Sequence, residues 1–233
     1  FMEPHCIVNR HWLEPLLQQL LGAGSSHSTV VTPILDIIPE KNFNAYEAAG
    51  QFIGGFDWSL NFNWMAMVRD RNKSWSDPEP YPSPALSGGI FAIWRDFWEH
   101  TGKYDEAMKE WGAEHVEMSL RVWRCGGRIE MVPCSRIGHL FRSASPYQRH
   151  ATAMFTNSKR VAEVWLEDYK DDFYSAAPQM RSYDVGDITQ RLKLKDELKC
   201  KPMEWYLDNV YPELKQSSRV WQAKHSNKDV TAP

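Results

Sequence analysis

The sequence lacks most of the marks that assign a function at a glance. It has no basic excess: 27 Lys and Arg stand against 30 Asp and Glu, for a net charge of −3. That argues against a nucleic-acid surface. No apolar run reaches the roughly 18 residues that a membrane span needs. The four cysteines, Cys6, Cys125, Cys134 and Cys200, contain no C-x-x-C pair. A zinc ribbon is therefore not expected, and the count permits two disulfides or four free thiols. Dinucleotide glycine fingerprints, Walker loops, serine-hydrolase elbows and His-Glu-x-x-His helices are all missing. Methionine does not open the chain, which starts at Phe1. A leader or anchor ahead of it is thus left open.

Aromatic residues are abundant. The 233 residues hold 11 Trp, 10 Phe and 9 Tyr, with 42% hydrophobic and 24% charged residues overall. Such a chain can bury a core, and its aromatics suit either that core or walls on which sugars stack. Residues 12–22 read as a short amphipathic helix and 29–38 as a β-branched strand. In residues 50–64, Phe56, Trp58, Leu60, Phe62 and Trp64 fall at period two, which predicts one face of an extended segment. Residues 70–86 read as a loop carrying one glycosylation sequon, Asn72-Lys73-Ser74. A Gly-led strand at 87–94 runs into a helix through His100. Helices are expected over 113–125, 158–173, 187–200 and 202–210, and strand pieces over 128–134 and 136–141. Mixed strands and helices without repeats predict an α/β or α+β domain. From Lys215 the chain turns polar without apolar period and reads as a linker or tail.

Four constellations could carry chemistry. Glu3-x-His5 places a carboxylate and an imidazole two residues apart, able to share one cation or to form an ordinary surface pair. Trp111-Gly112-Ala113-Glu114-His115 precedes a helix, and Gly112 permits close approach to the backbone. His139, at the end of a strand, is a candidate third ligand, and Arg142 after it can meet an anionic diphosphate. Ser87-Gly88-Gly89 leads a strand.

The order of these pieces carries a resemblance. GGFDWSL (54–60), SGGIFAI (87–93), the run from Lys103 to Arg142 through EWGAEHVEM and IGHLFR, RVAEVWLEDYK (160–170) and LKCKPMEWYLDNVYPEL (198–214) together resemble the polypeptide N-acetylgalactosaminyltransferases. The resemblance covers residues 1–214. It implies the C-terminal part of a GT-A, Rossmann-like nucleotide-sugar domain, beginning at the metal motif, with 215–233 as linker and no lectin domain in this chain. It implies retaining transfer of N-acetylgalactosamine from UDP-GalNAc to Ser or Thr of a polypeptide. The setting would be the lumenal side of the Golgi membrane, with an anchor outside this chain.

By this resemblance, Glu3, His5 and His139 hold Mn²⁺. Glu114 and Arg142 serve the transfer, and Arg142 and Tyr147 hold the diphosphate. Gly88, Gly89 and Glu114 meet the sugar, while Phe56, Trp58, Trp111 and Phe141 line an acceptor groove. Cys125 pairs with Cys200, Cys134 has its partner outside the chain, and Cys6 stays free near the nucleotide. Three positions depart from the family pattern. Glu3 stands where the family has Asp, Ala113 replaces a glycine, and His115 replaces an asparagine. The loop after Tyr147 also lacks the family's Pro-Gly-Gly stretch. An alternative reading is a weak or inactive paralogue that binds a peptide or partner through the aromatic groove.

Overall fold

The computed structural model describes residues 1–22, 27–66, 78–142 and 150–225. Two long parallel strands, β2 (Thr29–Pro39) and β7 (Arg128–Phe141), form the spine of a mixed sheet. β2 is buried along nearly its whole length, as expected for a strand covered on both faces. Alternation divides its side chains. Val31 and Val132 face Leu16 and Leu20 of α1 (Leu13–Leu21), while Val30 and Ile129 face Met118 and Val122 of α3 (Glu114–Arg124). The result is a helix–sheet–helix sandwich.

Short strands complete the sheet. β1 (Cys6–Val8) and β5 (Tyr81–Pro82) pair antiparallel with β7, and β6 (Ala92–Ile93) pairs with β2 ahead of α2 (Arg95–His100). The two strand pieces expected over 128–141 are one strand interrupted by a bulge. Val132 pairs with Pro33 and Arg136 with Ile34, leaving Pro133, Cys134 and Ser135 outside the ladder.

The extended segment expected over 50–64 is instead a hairpin of β3 (Phe52–Phe56) and β4 (Phe62–Ala66). The Asp57 carboxylate accepts the backbone N–H groups of Ser59 and Asn61, at 2.9 and 3.1 Å, and Leu60 takes a φ of 65°. The turn carries Trp58 into the main core, where it stacks on Tyr169 and donates to Ser217 Oγ at 3.1 Å. Gly54 lies so close to the next segment that a Cβ would meet the Ala85 carbonyl at 2.2 Å. Gly54→Ala is expected to cost about 1–3 kcal/mol through this overlap, read as a lower urea midpoint at unchanged m-value.

The long helix expected over 158–173 is broken. α4 (Ala151–Val161) continues as a π-turn over Ala162–Leu166 and a 3₁₀ turn over Glu167–Tyr169, then as α5 (Lys170–Ala176). Glu167 has φ 53°. Its carboxylate binds Arg124, Lys195 at 2.8 Å and the Met203 N–H at 2.9 Å, so long-range partners hold the break. α6 (Thr189–Glu197), α7 (Met203–Asn209) and α8 (Pro212–Gln216) follow. The Cys125–Cys200 disulfide, implied by the family resemblance, joins the end of α3 to the α6–α7 turn. It closes a loop of 75 residues. Cys125→Ser is expected to lower stability by about 2–4 kcal/mol, read by urea unfolding without reductant.

The stretch from Lys215 was expected to be a polar tail, but it is docked through His225. α9 (Arg219–His225) is anchored where Asp172 accepts Ser218 Oγ at 2.5 Å and the Arg219 N–H at 2.8 Å. The anchor is a buried hydroxyl–carboxylate pair, which an apolar-period reading does not register.

Candidate metal centre and cleft

Strand pairing builds the centre. In the β1–β7 ladder Cys6 faces His139 directly, and the His5 carbonyl accepts the Leu140 N–H at 3.2 Å. Glu3 is fixed from its other side, donating its N–H to the Gly89 carbonyl at 3.0 Å. These bonds bring residues separated by 136 positions into contact: Glu3 Oε2 lies 2.8 Å from His139 Nε2. The same oxygen lies 3.1 Å from His5 Nε2. Glycine at position 89 leaves room for this carboxylate, since a Cβ there would lie 2.8 Å from Glu3 Oε2 and push the side chain aside.

The electrostatics follow from these contacts. The hydrogen bond with His139 holds the Glu3 carboxyl below its ordinary range, against the opposing effect of burial. Burial lowers His5, outweighing the attraction of Glu3, and so favours the neutral imidazole that ligates metals. Burial and the Glu3 charge push the Cys6 thiol up to about 11.

Each Glu3–histidine pair has the spacing of two ligands on one divalent cation. Two ligand atoms each about 2.1 Å from one ion, at right angles, are about 3.0 Å apart. The two Glu3–histidine separations bracket that value. His139 Nδ1 is buried without a hydrogen-bond partner.

Beside this centre runs a cleft of about 600 Å³ lined by Glu3, His5, Ser87, Gly89, His139 and Arg142 on its polar side. Phe62, Trp64, Trp111 and Phe141 form its aromatic wall. Ser87 Oγ, too, is buried without a partner. Polar atoms left unmatched at a cleft suit a polar ligand that completes them.

The sequence-derived residues divide into three groups. Glu3, His5, Gly89, Trp111, His139, Phe141 and Arg142 come together at the cleft. Gly88 and Glu114 stand next to it. Gly88 has φ 83° and packs against His115, while Glu114 opens α3 and accepts the Gly112 N–H at 2.6 Å. Burial raises the Glu114 carboxyl, but the facing His115 imidazole and nearby backbone N–H groups more than offset this, so it lies below its usual range. Phe56 and Trp58 do not line the groove. They are 1% and 7% exposed, because the hairpin turn rotates them into the main core. Phe62 and Trp64, on the returning strand, stand at the cleft instead. The alternation was visible in sequence, but not the turn between the two halves. Tyr147 lies outside the described residues.

Ala113 adopts φ 65°, the conformation that favours glycine. Such a residue costs about 1–2 kcal/mol in an L-amino acid. Its methyl group is buried in the main core, which offsets part of that at about 0.8 kcal/mol per carbon. His115 is buried against Phe62 and Trp111, and its Nε2 has no hydrogen-bond partner.

Comparison with known proteins gives a consistent result. Residues 74–144 match the family described as the N-terminal domain of galactosyltransferase. Polypeptide N-acetylgalactosaminyltransferase 16 of Mus musculus is 43% identical over 218 residues, covering 92% of this chain and 38% of that protein. Polypeptide N-acetylgalactosaminyltransferase 4 of Caenorhabditis elegans is 42% identical over 236 residues, covering 97% of this chain and 40% of that protein. Among solved structures, the crystal structure of GalNAc-T7 with UDP, GalNAc and Mn²⁺ superimposes with a TM-score of 0.81 at 30% identity. It covers 94% of this chain and 41% of that one. The chain thus spans about two fifths of the length of these relatives.

The sandwich, with its metal-competent cluster at the β1–β7 strand pair, is a GT-A glycosyltransferase fold. Over the length it shares with these relatives, the chain belongs to the polypeptide N-acetylgalactosaminyltransferase family.

Proposed function

We propose that this chain serves the retaining transfer of N-acetylgalactosamine from UDP-GalNAc to Ser or Thr hydroxyls of polypeptides, with Mn²⁺ as cofactor. The supporting observation is that one Glu3 carboxylate oxygen meets both His5 and His139 at the head of an aromatic-walled cleft. Glu3, His5 and His139 would hold the ion, which supplies Lewis-acid stabilisation to the leaving diphosphate. Arg142, exposed at the cleft edge, offers its guanidinium to the same anion. Glu114 stays ionised and so accepts hydrogen bonds from sugar hydroxyls, which orients the sugar rather than moving a proton. Gly88 and Gly89 keep the floor free of side chains at the sugar's approach. Trp111, Phe141, Phe62 and Trp64 give the acceptor peptide an apolar wall. The bond from the sugar's anomeric carbon to the diphosphate oxygen breaks, that carbon bonds the acceptor oxygen, and the hydroxyl proton passes to the departing diphosphate, which leaves as UDP. Among the described residues, no side chain is placed as an evident nucleophile.

The proposed compartment is the Golgi lumen. The Cys125–Cys200 disulfide supports an oxidising setting. Among the described residues, no helix is long and apolar enough to cross a membrane. Attachment to the Golgi membrane would therefore need a segment outside them.

A chimera tests this reading. The 233 residues replace the matching stretch of the murine relative, and transfer from UDP-GalNAc to a Thr-rich peptide is measured with and without Mn²⁺. Metal-dependent transfer is the expected result. A folded chimera that binds neither Mn²⁺ nor UDP-GalNAc would overturn it. The second reading, peptide binding without transfer, draws on the buried His115 ring packed against Gly88 beside the site. Peptide affinity unchanged by Mn²⁺, with no transfer, would select it.

A further inference from the structure

The donor cluster contains one residue more than the Mn²⁺ reading uses. Cys6 is the directly opposed partner of His139 in the β1–β7 ladder, and such pairs carry their side chains on the same face. Its sulfur, a Glu3 carboxylate oxygen and a His139 ring nitrogen all lie within 4.8 Å of one another. Behind the thiol stand Leu35, Ile90 and Ile137, which limit its exposure on that side. We infer that Cys6, Glu3 and His139 form a second, thiophilic coordination set, which takes Zn²⁺ in preference to Mn²⁺ at the same place.

The two sets share Glu3 and His139 and differ in the third ligand. With His5, the donors are oxygen and nitrogen, each histidine nitrogen standing beside the same Glu3 oxygen. With Cys6, they are one oxygen, one nitrogen and one sulfur. Thiolate selects Zn²⁺, and Mn²⁺ is the weakest binder of the divalent series at any such mixed site. Around a tetrahedral Zn²⁺, with bonds of about 2.0–2.3 Å, neighbouring donors stand roughly 3.3–3.8 Å apart. The three atoms lie within 4.8 Å of one another, so the set closes when the donors draw together around the ion. Coordination as thiolate releases the thiol proton to solvent. A Zn²⁺ held in this way occupies Glu3 and His139 and competes with the Mn²⁺ on which the proposed transfer depends. The inference depends on that reading only for this consequence, not for the ligand set.

Cobalt makes the thiol visible, because a cobalt–thiolate bond gives a charge-transfer absorption in the near ultraviolet that oxygen and nitrogen ligands do not. The chain is prepared as Cys134→Ser, which removes the other free thiol while Cys125 and Cys200 stay in their disulfide. Titration with Co²⁺ is expected to raise the band to saturation at one ion per chain. Adding Cys6→Ser removes the band. It also lowers the ratio of Zn²⁺ to Mn²⁺ affinity at least about 100-fold, beyond the ~10–100-fold that losing an outer-sphere partner costs. Thermal unfolding of both variants confirms that they are folded. Mn²⁺ binding without a cobalt–thiolate band overturns the inference and leaves the Mn²⁺ site standing. So does a band that survives Cys6→Ser, or an unchanged affinity ratio. Failure of every ion to bind the folded chain overturns the inference and the Mn²⁺ site together.

Discussion

Glu3→Ala is expected to weaken Mn²⁺ binding at least about 100-fold, because losing even an outer-sphere partner costs ~10–100-fold. Among the described residues, Glu3 is the only carboxylate in contact with both His5 and His139. Without it, the two imidazoles face a dication with no carboxylate between them. The free-ion signal of Mn²⁺ in electron paramagnetic resonance reads the loss directly. Thermal stability should hardly move, because Glu3 is partly exposed and its contacts are shared with solvent. Glu3→Asp discriminates further. Asp is one carbon shorter, and the carboxylate retreats by about 1.5 Å from its place beside both histidines. In a site built around the longer residue, affinity falls between that of the native chain and that of Glu3→Ala. Affinity above native would show that the glutamate is an encumbrance and that the family's Asp geometry is latent in the backbone.

Arg121→Met is expected to destabilise the fold by about 3–5 kcal/mol, the usual result of stranding one member of a buried ion pair. Arg121 and Glu117 lie one turn apart on α3, and their side chains are 0% and 1% exposed. The guanidinium donates to both carboxylate oxygens, at 2.9 Å each, and to the Thr101 carbonyl at 2.8 Å. Removing it leaves the Glu117 charge and the Thr101 carbonyl without their partner in the interior. Glu117→Leu combined with Arg121→Met is expected to recover most of the loss, since an apolar pair of similar volume often replaces a buried ion pair at little cost. The comparison requires chemical denaturation of both variants. Equal destabilisation of the single and double variants would mean that the Thr101 carbonyl, not the charge, dominates. Because α3 begins with Glu114, its loosening is also felt beside the cleft.

Glu3 and His5 were candidates in the sequence because Glu3-x-His5 is local, and His139 because it lies in a run that resembles the family. The opposition of Cys6 and His139 was not legible there, since it depends on a strand pairing across more than a hundred residues. The fate of Phe56 and Trp58 shows a different limit. Period two is the same for one long strand and for two strands whose turn happens to preserve it. The sign was in the turn itself, where Asp57, Ser59 and Asn61 knit a side-chain-capped reversal without the glycine that usually announces one. At Glu167 no local sign existed. Neither glycine nor proline marks the break, and its partners Arg124, Lys195 and Met203 come from other elements. The docking of the polar stretch after Lys215 was hidden for a similar reason, because Asp172 holds it from a distance.

The three-residue ladder between β1 and β7 is short enough to be ambiguous by itself. Shifting it by one residue would turn His139 to the other face, away from Glu3 and Cys6. An ion that needs all these side chains on one side therefore binds a single alignment and rejects its neighbours. Metal in the refolding medium would act as a gauge of strand register, drawing misaligned chains toward the correct pairing by mass action.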